Sequence, residues 1–401
     1  MEKYEVTMSE ITRYKVIQEW GKSKVKGKGV SMLLGLSYRH ALRLRKRYRE
    51  EGIIGLIDKR RGRRGITSEV EGEICRLYKD TYEERLNILH FKEKLEEVHG
   101  IRVSYEKLRQ ILIKYGLHKV KRRKRQFHKR RQRMPKRGML IQMDTSEHEW
   151  IEGLGNRSLI TMVDDASSEI LYARFEEEDS TFTNMKALKS VIKKWGLFLA
   201  LYVDRASHFT TTRHGGLHYD VGEEQGDTNI EQALEELGIT LIPAHSPQAK
   251  GRIERSYKTL QDRLINEMWI RGIKDYKTAN EYLKKEFIPL YNKKFGKEVK
   301  DTLFSPVPEG IDLNLIFTKR TMRSVNKDNT VSFFSERIQL SPTKKKLNFV
   351  RAKVEIRWSS RNQIWVLYKG EVILKTKLSS KNKLIQKEKQ IEKILSKRSY
   401  N

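Results

Sequence analysis

Three carboxylates carry the sharpest chemical possibility in this 401-residue chain. Asp144 closes the run MLIQMD, Asp204 closes LFLALYVD, and Glu254 stands inside SPQAKGRIER, at intervals of 60 and 50 residues. An aspartate at the end of one apolar run is, taken alone, an ordinary turn or cap residue. Two at strand ends and a glutamate at a helix start meet a different demand. Hard divalent ions such as magnesium take oxygen ligands. A pair of them roughly 4 Å apart neutralises a scissile phosphate and generates an oxygen nucleophile near neutral pH. The expected chemistry is therefore metal-dependent cleavage and transfer of phosphodiester bonds. Asp144, Asp204 and Glu254 would be both catalytic residues and ligands of an Mg2+ pair, with Mn2+ as a substitute. Asp220 and Asp227, in the Gly- and charge-rich stretch TTTRHGGLHYDVGEEQGDTN, are alternative ligands. Lys250, Arg252, Arg255 and Lys258 surround Glu254, and Lys258, at i+4, either meets a phosphate or pairs with the glutamate. His148 and Trp150 lie near the first acid, where they line a DNA path or, for the tryptophan, pack inside.

Acids so far apart need a frame that gathers them. MLIQMDTSE, RSLITMVDDASSEILYARFEEED and LFLALYVDRAS alternate as strands, with STFTNMKALKSVIKKWG as a helix between the last two. Asp164 and Asp165 fall at a hairpin turn, ITLIPAH gives a further strand, and a long helix follows SPQAKG through Pro247. Three strands, a helix, a strand, an intervening segment, a strand and a helix is the order of a ribonuclease-H-like α/β core. It would place Asp144 and Asp204 at one sheet edge, with Glu254 laid against it.

The 83 Lys and Arg against 52 Asp and Glu leave a formal charge of +31, which calls for a polyanionic partner. Nucleic acid leads. No apolar run approaches the ~20 residues of a membrane span, and the start MEKYEVTMSE has no signal-peptide pattern, so a cytoplasmic, nucleoid-associated protein with no membrane contact is expected. Cys75, a lone cysteine, excludes an internal disulfide and a cysteine-rich zinc site, and is expected as a small core residue.

The basic residues concentrate in recognisable places. LLGLSYRHALRLRKRYREEG has a turn glycine at Gly35, a cap at Ser37 and a buried stripe of Ala41, Leu44 and Tyr48, which predicts a helix-turn-helix. Tyr38, Arg39, His40, Arg43 and Arg47 would face DNA bases. VSYEKLRQILIKYGL predicts a second such module, capped by Ser104, with Leu108, Ile111, Leu112 and Tyr115 inward. Its outward candidates are Lys107, Arg109, Gln110 and Lys114. Two basic runs, with Arg60, Arg61, Arg63 and Arg64 in the first and Lys121, Arg122 and Arg123 in the second, would track phosphates.

The expected organisation is a helix-turn-helix domain over 1–57, a basic linker over 58–66, a second helix-turn-helix domain over 67–117 and a second basic linker over 118–137. The catalytic domain follows over 138–280, then a helical linker over 281–318, a small β-barrel over 319–378 and a basic tail over 379–401. The fold class is multidomain: all-α, then α/β, then all-β.

QMDTSEHEWIEG with VDDAS downstream, SPQAKGRIERSYKTLQDRL, and Ala279–Asn280 with YNKKF from Tyr291 resemble the bacterial insertion-sequence transposases of the ISNCY group, within the DDE transposase and retroviral integrase superfamily. The likeness runs over roughly residues 30–320 and puts Asp144, Asp204 and Glu254 on the family's catalytic triad. It implies binding of double-stranded DNA as terminal inverted repeats and target, divalent metal, and a homodimer or larger assembly joining two DNA ends. A catalytically dead DNA-binding regulator and a hydrolytic nuclease of the same fold are the competing readings.

Overall fold

A computed structural model describes residues 7–57, 67–119, 132–204, 209, 228–244, 253–334, 336–342 and 348–378. The chain divides into two compact units, Met1–Arg76 and Leu77–Asn401.

The first unit holds α1 (Met8–Gly21), α2 (Gly27–Leu34), α3 (Tyr38–Glu51) and α4 (Ser68–Arg76). A capping box starts α1: the Thr7 side chain accepts from the Glu10 N–H, and the Glu10 carboxylate accepts from the Thr7 N–H. Gly35 ends α2 at φ +60°, a left-handed turn that a glycine enters without strain. Ser37 then caps α3 by accepting from the His40 N–H at 3.3 Å. Ile17, Trp20, Val30, Ala41, Leu44 and Leu56 form the core, with Tyr48 packed against it. The predicted turn, cap and stripe are all present. Cys75 is buried, as expected.

The second unit begins with a helical part, α5 (Ile88–Glu97) and α6 (Tyr105–Lys114), started by Asn87 and Ser104 caps. Leu108, Ile111 and Leu112 point inward as predicted. Tyr115 does not: α6 ends at Lys114, so the stripe loses its helical phase there, and the ring is 43% exposed.

The central five-stranded sheet has the order β3-β2-β1-β4-β5, with β1 (Leu140–His148), β2 (Arg157–Asp164), β3 (Ile170–Glu176), β4 (Ala200–Val203) and β5 (Thr240–Pro243). The first three strands run antiparallel to one another, while β4 and β5 run parallel to β1. Side chains alternate along each strand. Ile141, Met143, Leu201 and Val203 pack on one face with residues of α7 (Thr181–Trp195) and α8 (Asn229–Glu235). On the other face, Leu159, Val163, Ala173 and Phe175 meet α9 (Ile253–Ile270). This is the α/β core whose element order the sequence predicts.

α10 (Tyr276–Tyr282) and α11 (Ile288–Phe295) pack in the same layer as α9, burying Ala279, Tyr282 and Tyr291. The segment read as a helical linker from sequence thus carries packed helices, because its apolar residues complete the α9 face. Two asparagines fasten this layer to the edge strand β3. Asn280 Oδ1 accepts from the Phe175 N–H at 2.8 Å and its Nδ2 donates to the Phe175 carbonyl at 3.0 Å. Asn292 does the same to Ile170, at 2.8 and 2.9 Å.

After the short α12 (Leu313–Ile316) come β6 (Lys319–Ser324), β7 (Thr330–Phe333), β8 (Glu336–Gln339), β9 (Lys353–Trp358), β10 (Gln363–Tyr368) and β11 (Glu371–Lys377). They form an antiparallel four-stranded sheet, β11-β10-β9-β6, and a separate β7-β8 hairpin around a shared core that includes Val331, Phe349, Ile356 and Val366. Of the small barrel expected from sequence the structure shows the sheet and the hairpin; among the described residues no strand pairing joins the two. β6, KRTMRS, was not among the predicted strands, since it lacks the apolar alternation that marks the others. Arg320 and Arg357 of this sheet bind the Glu236 carboxylate beside α8. Burial pushes that carboxyl up, but the bonds to Arg357 and Arg320 outweigh burial and hold it below its ordinary value.

Candidate active site and nucleic-acid interface

The parallel pairing of β1 with β4 fixes where two of the acids fall. Leu140 aligns with Ala200, Ile141 with Leu201 and Gln142 with Tyr202. The same 60-residue offset continued two steps brings Asp144 level with Asp204, which follows the last residue of β4. Neighbouring strands stand ~4.8 Å apart, and level residues of parallel strands share a face. Ile141 and Met143 occupy the α7 face, so Gln142, Asp144 and Ser146 turn to the α9 face. Both aspartates are half-buried.

α9 is keyed to that face by polar bonds. Tyr257 donates through its hydroxyl to the carbonyls of Asp144, at 2.5 Å, and Leu159, at 3.2 Å. The Ile253 N–H donates to Gln142 Oε1 at 3.3 Å. Burial pushes the Tyr257 hydroxyl well above its ordinary pKa, and the charges of Asp144, Asp179 and Asp204 push it the same way. Both predicted aspartates therefore act on one buried hydroxyl. Glu254 follows Ile253 in the first turn of α9, with its side chain exposed.

The structure sets Asp144 in the middle of β1, not at the strand end expected from sequence, because β1 goes on pairing with β2 through His148; the β1–β4 register brings it level with Asp204 just past β4, and Glu254 lies in the first turn of the helix over their face. The structure does not close the three around one point: among the described residues no three Asp, Glu, His or Cys side chains stand close enough to hold a metal ion.

Tyr38, Arg39, His40 and Arg43 are exposed on α3, as read from sequence. Arg47 is only half-buried and reaches back to the Ile57 carbonyl at 3.5 Å, so it is set apart from that open face. On α6, Lys107 and Arg109 are half-buried, Gln110 and Lys114 are exposed, and Arg109 binds Glu106 at 3.0 Å. Arg255 and Lys258 are exposed on α9. Trp150 is fully buried and donates to the carbonyls of Ser146 and Arg157, which is the packed reading, while His148 meets it edge-on from the surface. Arg60, Arg61, Arg63, Arg64, Lys121, Arg122, Arg123, Lys250, Arg252, Asp220 and Asp227 lie outside the described residues.

Sequence reasoning did not assign functional roles to Gln142, Asp165 and Tyr257. Gln142 carries a signal, its two-residue spacing from Asp144, which puts both on one strand face. It also did not anticipate how α5 binds α9. Glu93 is held by Arg263 at 2.6 and 3.1 Å and by Lys294, while Glu267 takes His90 and Lys94, both at 2.7 Å. Burial raises the Glu267 carboxyl, but the bonds from His90 and then Lys94 overcome it and hold its pKa at about 2.

A helix-turn-helix domain model matches residues 13–64, and a homeodomain-like domain model matches residues 41–112. A putative transposase of Sinorhizobium fredii is 34% identical over 345 residues, covering 84% of this chain and 74% of its own length. The transposase for insertion sequence IS1202 of Streptococcus pneumoniae is 29% identical over 362 residues, covering 81% of this chain and 77% of its own. Among solved structures, the HTLV-2 integrase catalytic core domain in complex with magnesium is similar at 13% identity and a TM-score of 0.29, over 39% of this chain and 85% of that one. A simian T-cell lymphotropic virus intasome is similar at 12% identity and a TM-score of 0.33, over 70% of this chain and 93% of that one.

Proposed function

The chain belongs to the transposases, and from that premise we propose that it is a DDE transposase of an insertion sequence with Asp144, Asp204 and Glu254 as its catalytic triad. The observation that supports this most is the register: Asp144 and Asp204 fall level on adjacent parallel strands, on the face where α9 begins with Glu254. The donor set fits a hard divalent ion, since all three side chains offer carboxylate oxygens and no sulfur or imidazole stands among them. Asp144, Asp204 and Glu254 would hold an Mg2+ pair, or Mn2+. When bound, such ions activate the attacking oxygen and neutralise the scissile phosphate.

The protein's own residues supply the rest. Tyr257 pins the backbone at Asp144, which fixes the mid-strand position from which that carboxylate projects. Arg255 and Lys258, exposed beside Glu254, attract DNA phosphates toward the three acids; Lys250 and Arg252 are assigned the same role. The exposed start of α3, with Tyr38, Arg39, His40 and Arg43, reads the terminal inverted repeats in the major groove. Lys107 and Arg109 of the second module and the two basic runs add phosphate contacts. Cutting and joining two element ends requires at least two protomers in a synaptic complex, so a homodimer or larger homo-oligomer is the working form.

The test is Asp204→Ala assayed for magnesium-dependent nicking and strand transfer on terminal-repeat DNA. Activity should drop by at least about a thousandfold, with repeat binding within twofold of wild type. Wild-type joining by this variant would sink the triad.

A further inference from the structure

We propose that Gln142 and Asp165 form a positioning relay that ties the start of α9, and with it Glu254, to the strand that carries Asp144. The proposal rests on the triad reading for its catalytic consequence, though not for the bonds themselves. Both side chains are fully buried. Gln142 Oε1 accepts from the Ile253 N–H at 3.3 Å, and its Nε2 donates to Asp165 Oδ1 at 2.7 Å. Asp165 Oδ2 accepts from the Met134 N–H at 2.9 Å, and the Asp165 N–H donates to the Leu140 carbonyl at 3.0 Å. One chain of bonds thus links the segment entering the core, the β2–β3 turn, β1 and the first residue of α9.

The residue types follow from the task. The first amides of a helix have no partner inside it, and at α9 the acceptor comes from a side chain 111 positions earlier in sequence. That acceptor must not rotate away. A glutamine has one donor end and one acceptor end; the Asp165 carboxylate claims the donor end, which leaves the oxygen facing Ile253. A glutamate would turn a second carboxylate toward Asp165 in a buried site, where like charges repel strongly. A leucine would leave both Ile253 and Asp165 short of a partner. Asp164 beside it serves a different end, accepting from Gly138 and from Ser167. The pair Asp164–Asp165, expected as turn residues, is therefore a buried clamp, and only its second member reaches α9.

Because Glu254 is the next residue after Ile253, a loosened first turn moves the third carboxylate against the other two. Displacement of a reacting group by about 1 Å lowers a rate by as much as 100-fold. Positioning, rather than contact with DNA or metal, is the role of both residues.

The experiment combines amide hydrogen exchange at residues 253–257 of the metal-free protein with strand-transfer kinetics and magnesium half-saturation. Gln142→Leu should speed exchange at Ile253 by about tenfold. It should also lower strand transfer by roughly 10- to 100-fold with a raised magnesium requirement, and leave terminal-repeat affinity within twofold. Gln142→Glu should be impaired likewise. Combining it with Asp165→Asn restores the bond between the two side chains with donor and acceptor exchanged, while the Ile253 N–H still donates to residue 142, so the double variant should return to within about threefold of wild type. Wild-type transfer by Gln142→Leu, or a double variant no better than Gln142→Glu alone, would overturn the relay. If Gln142→Leu does not fold, the glutamate variant and its rescue decide the matter. Full activity of Glu254→Gln would instead bring down the triad, and exchange at Ile253 would still report whether the relay holds the helix.

Discussion

Along β1, successive side chains enter two different environments. On the α7 face Ile141 and Met143 join Leu201, Val203, Leu188 and Ile230 in a layer of hydrocarbon. On the α9 face Gln142 and Asp144 meet a helix through hydrogen bonds, with Tyr257 and the Ile253 amide as partners. Hydrocarbon packing is strong and undirected, so along β1 it is the first face that contributes most to stability and tolerates similar shapes, while on the second face the hydrocarbon comes from β2 and β3. Hydrogen bonds contribute less each but fix direction, so the second face sets where groups point. The proposed carboxylate site would need both, and here a one-residue step along the strand separates them.

The contrast can be broken or sharpened by variants on either side. The largest effect on stability should come from Leu201→Ala, which empties a fully buried position in the hydrocarbon layer. It should destabilise the core by about 3 kcal/mol in denaturant unfolding, while strand transfer per folded molecule at low temperature stays near wild type. A selective loss of transfer without loss of stability would erase the division of labour between the faces.

The polar side of α9 should add a pH dependence that the hydrocarbon layer lacks. Glu267 has its pKa lowered from the ordinary 4.5 to about 2, so its contribution is complete above pH 4.5 and is lost as pH falls toward 2. Between those values wild type should lose on the order of 2 kcal/mol more than Glu267→Gln, measured by urea unfolding at each pH. Parallel pH profiles for the two proteins would show that the bonds from His90 and Lys94 do not stabilise the folded state. The smallest effect is expected from Tyr257→Phe, which removes one donor to the Asp144 and Leu159 carbonyls. It should lower stability by about 1 kcal/mol, with a larger proportional loss in strand transfer than in stability. Equal losses would make Tyr257 a packing residue only.

The same contrast explains what the sequence made legible. Apolar runs such as MLIQM and LFLALYV announce strands because burial imposes periodicity, and Ser37 and Ser104 announce helix starts because capping is local. Those runs place the two aspartates on their strands, but the end is right only for Asp204: the polar stretch after Asp144 stays in β1 through His148 by pairing with β2. Long-range polar pairing leaves no such pattern. Arg263 with Glu93 and Glu267 with His90 join residues 170 and 177 positions apart, and nothing in either local stretch distinguishes a buried partner from a solvated charge. The same holds for Asp165, whose turn chemistry is ordinary and whose burial depends on Gln142 and Met134. β6 escaped notice for the opposite reason: it is a strand by pairing with β9, and three of its six residues are exposed, so burial imposes no alternation on it.

Asn280 and Asn292 have a consequence beyond local packing. Each occupies both the N–H and the carbonyl of a β3 residue, at Phe175 and Ile170, on the outer rim of the central sheet. Those are the groups a foreign strand would need in order to dock there and lengthen the sheet. With them taken, a foreign strand cannot pair at those two positions of β3.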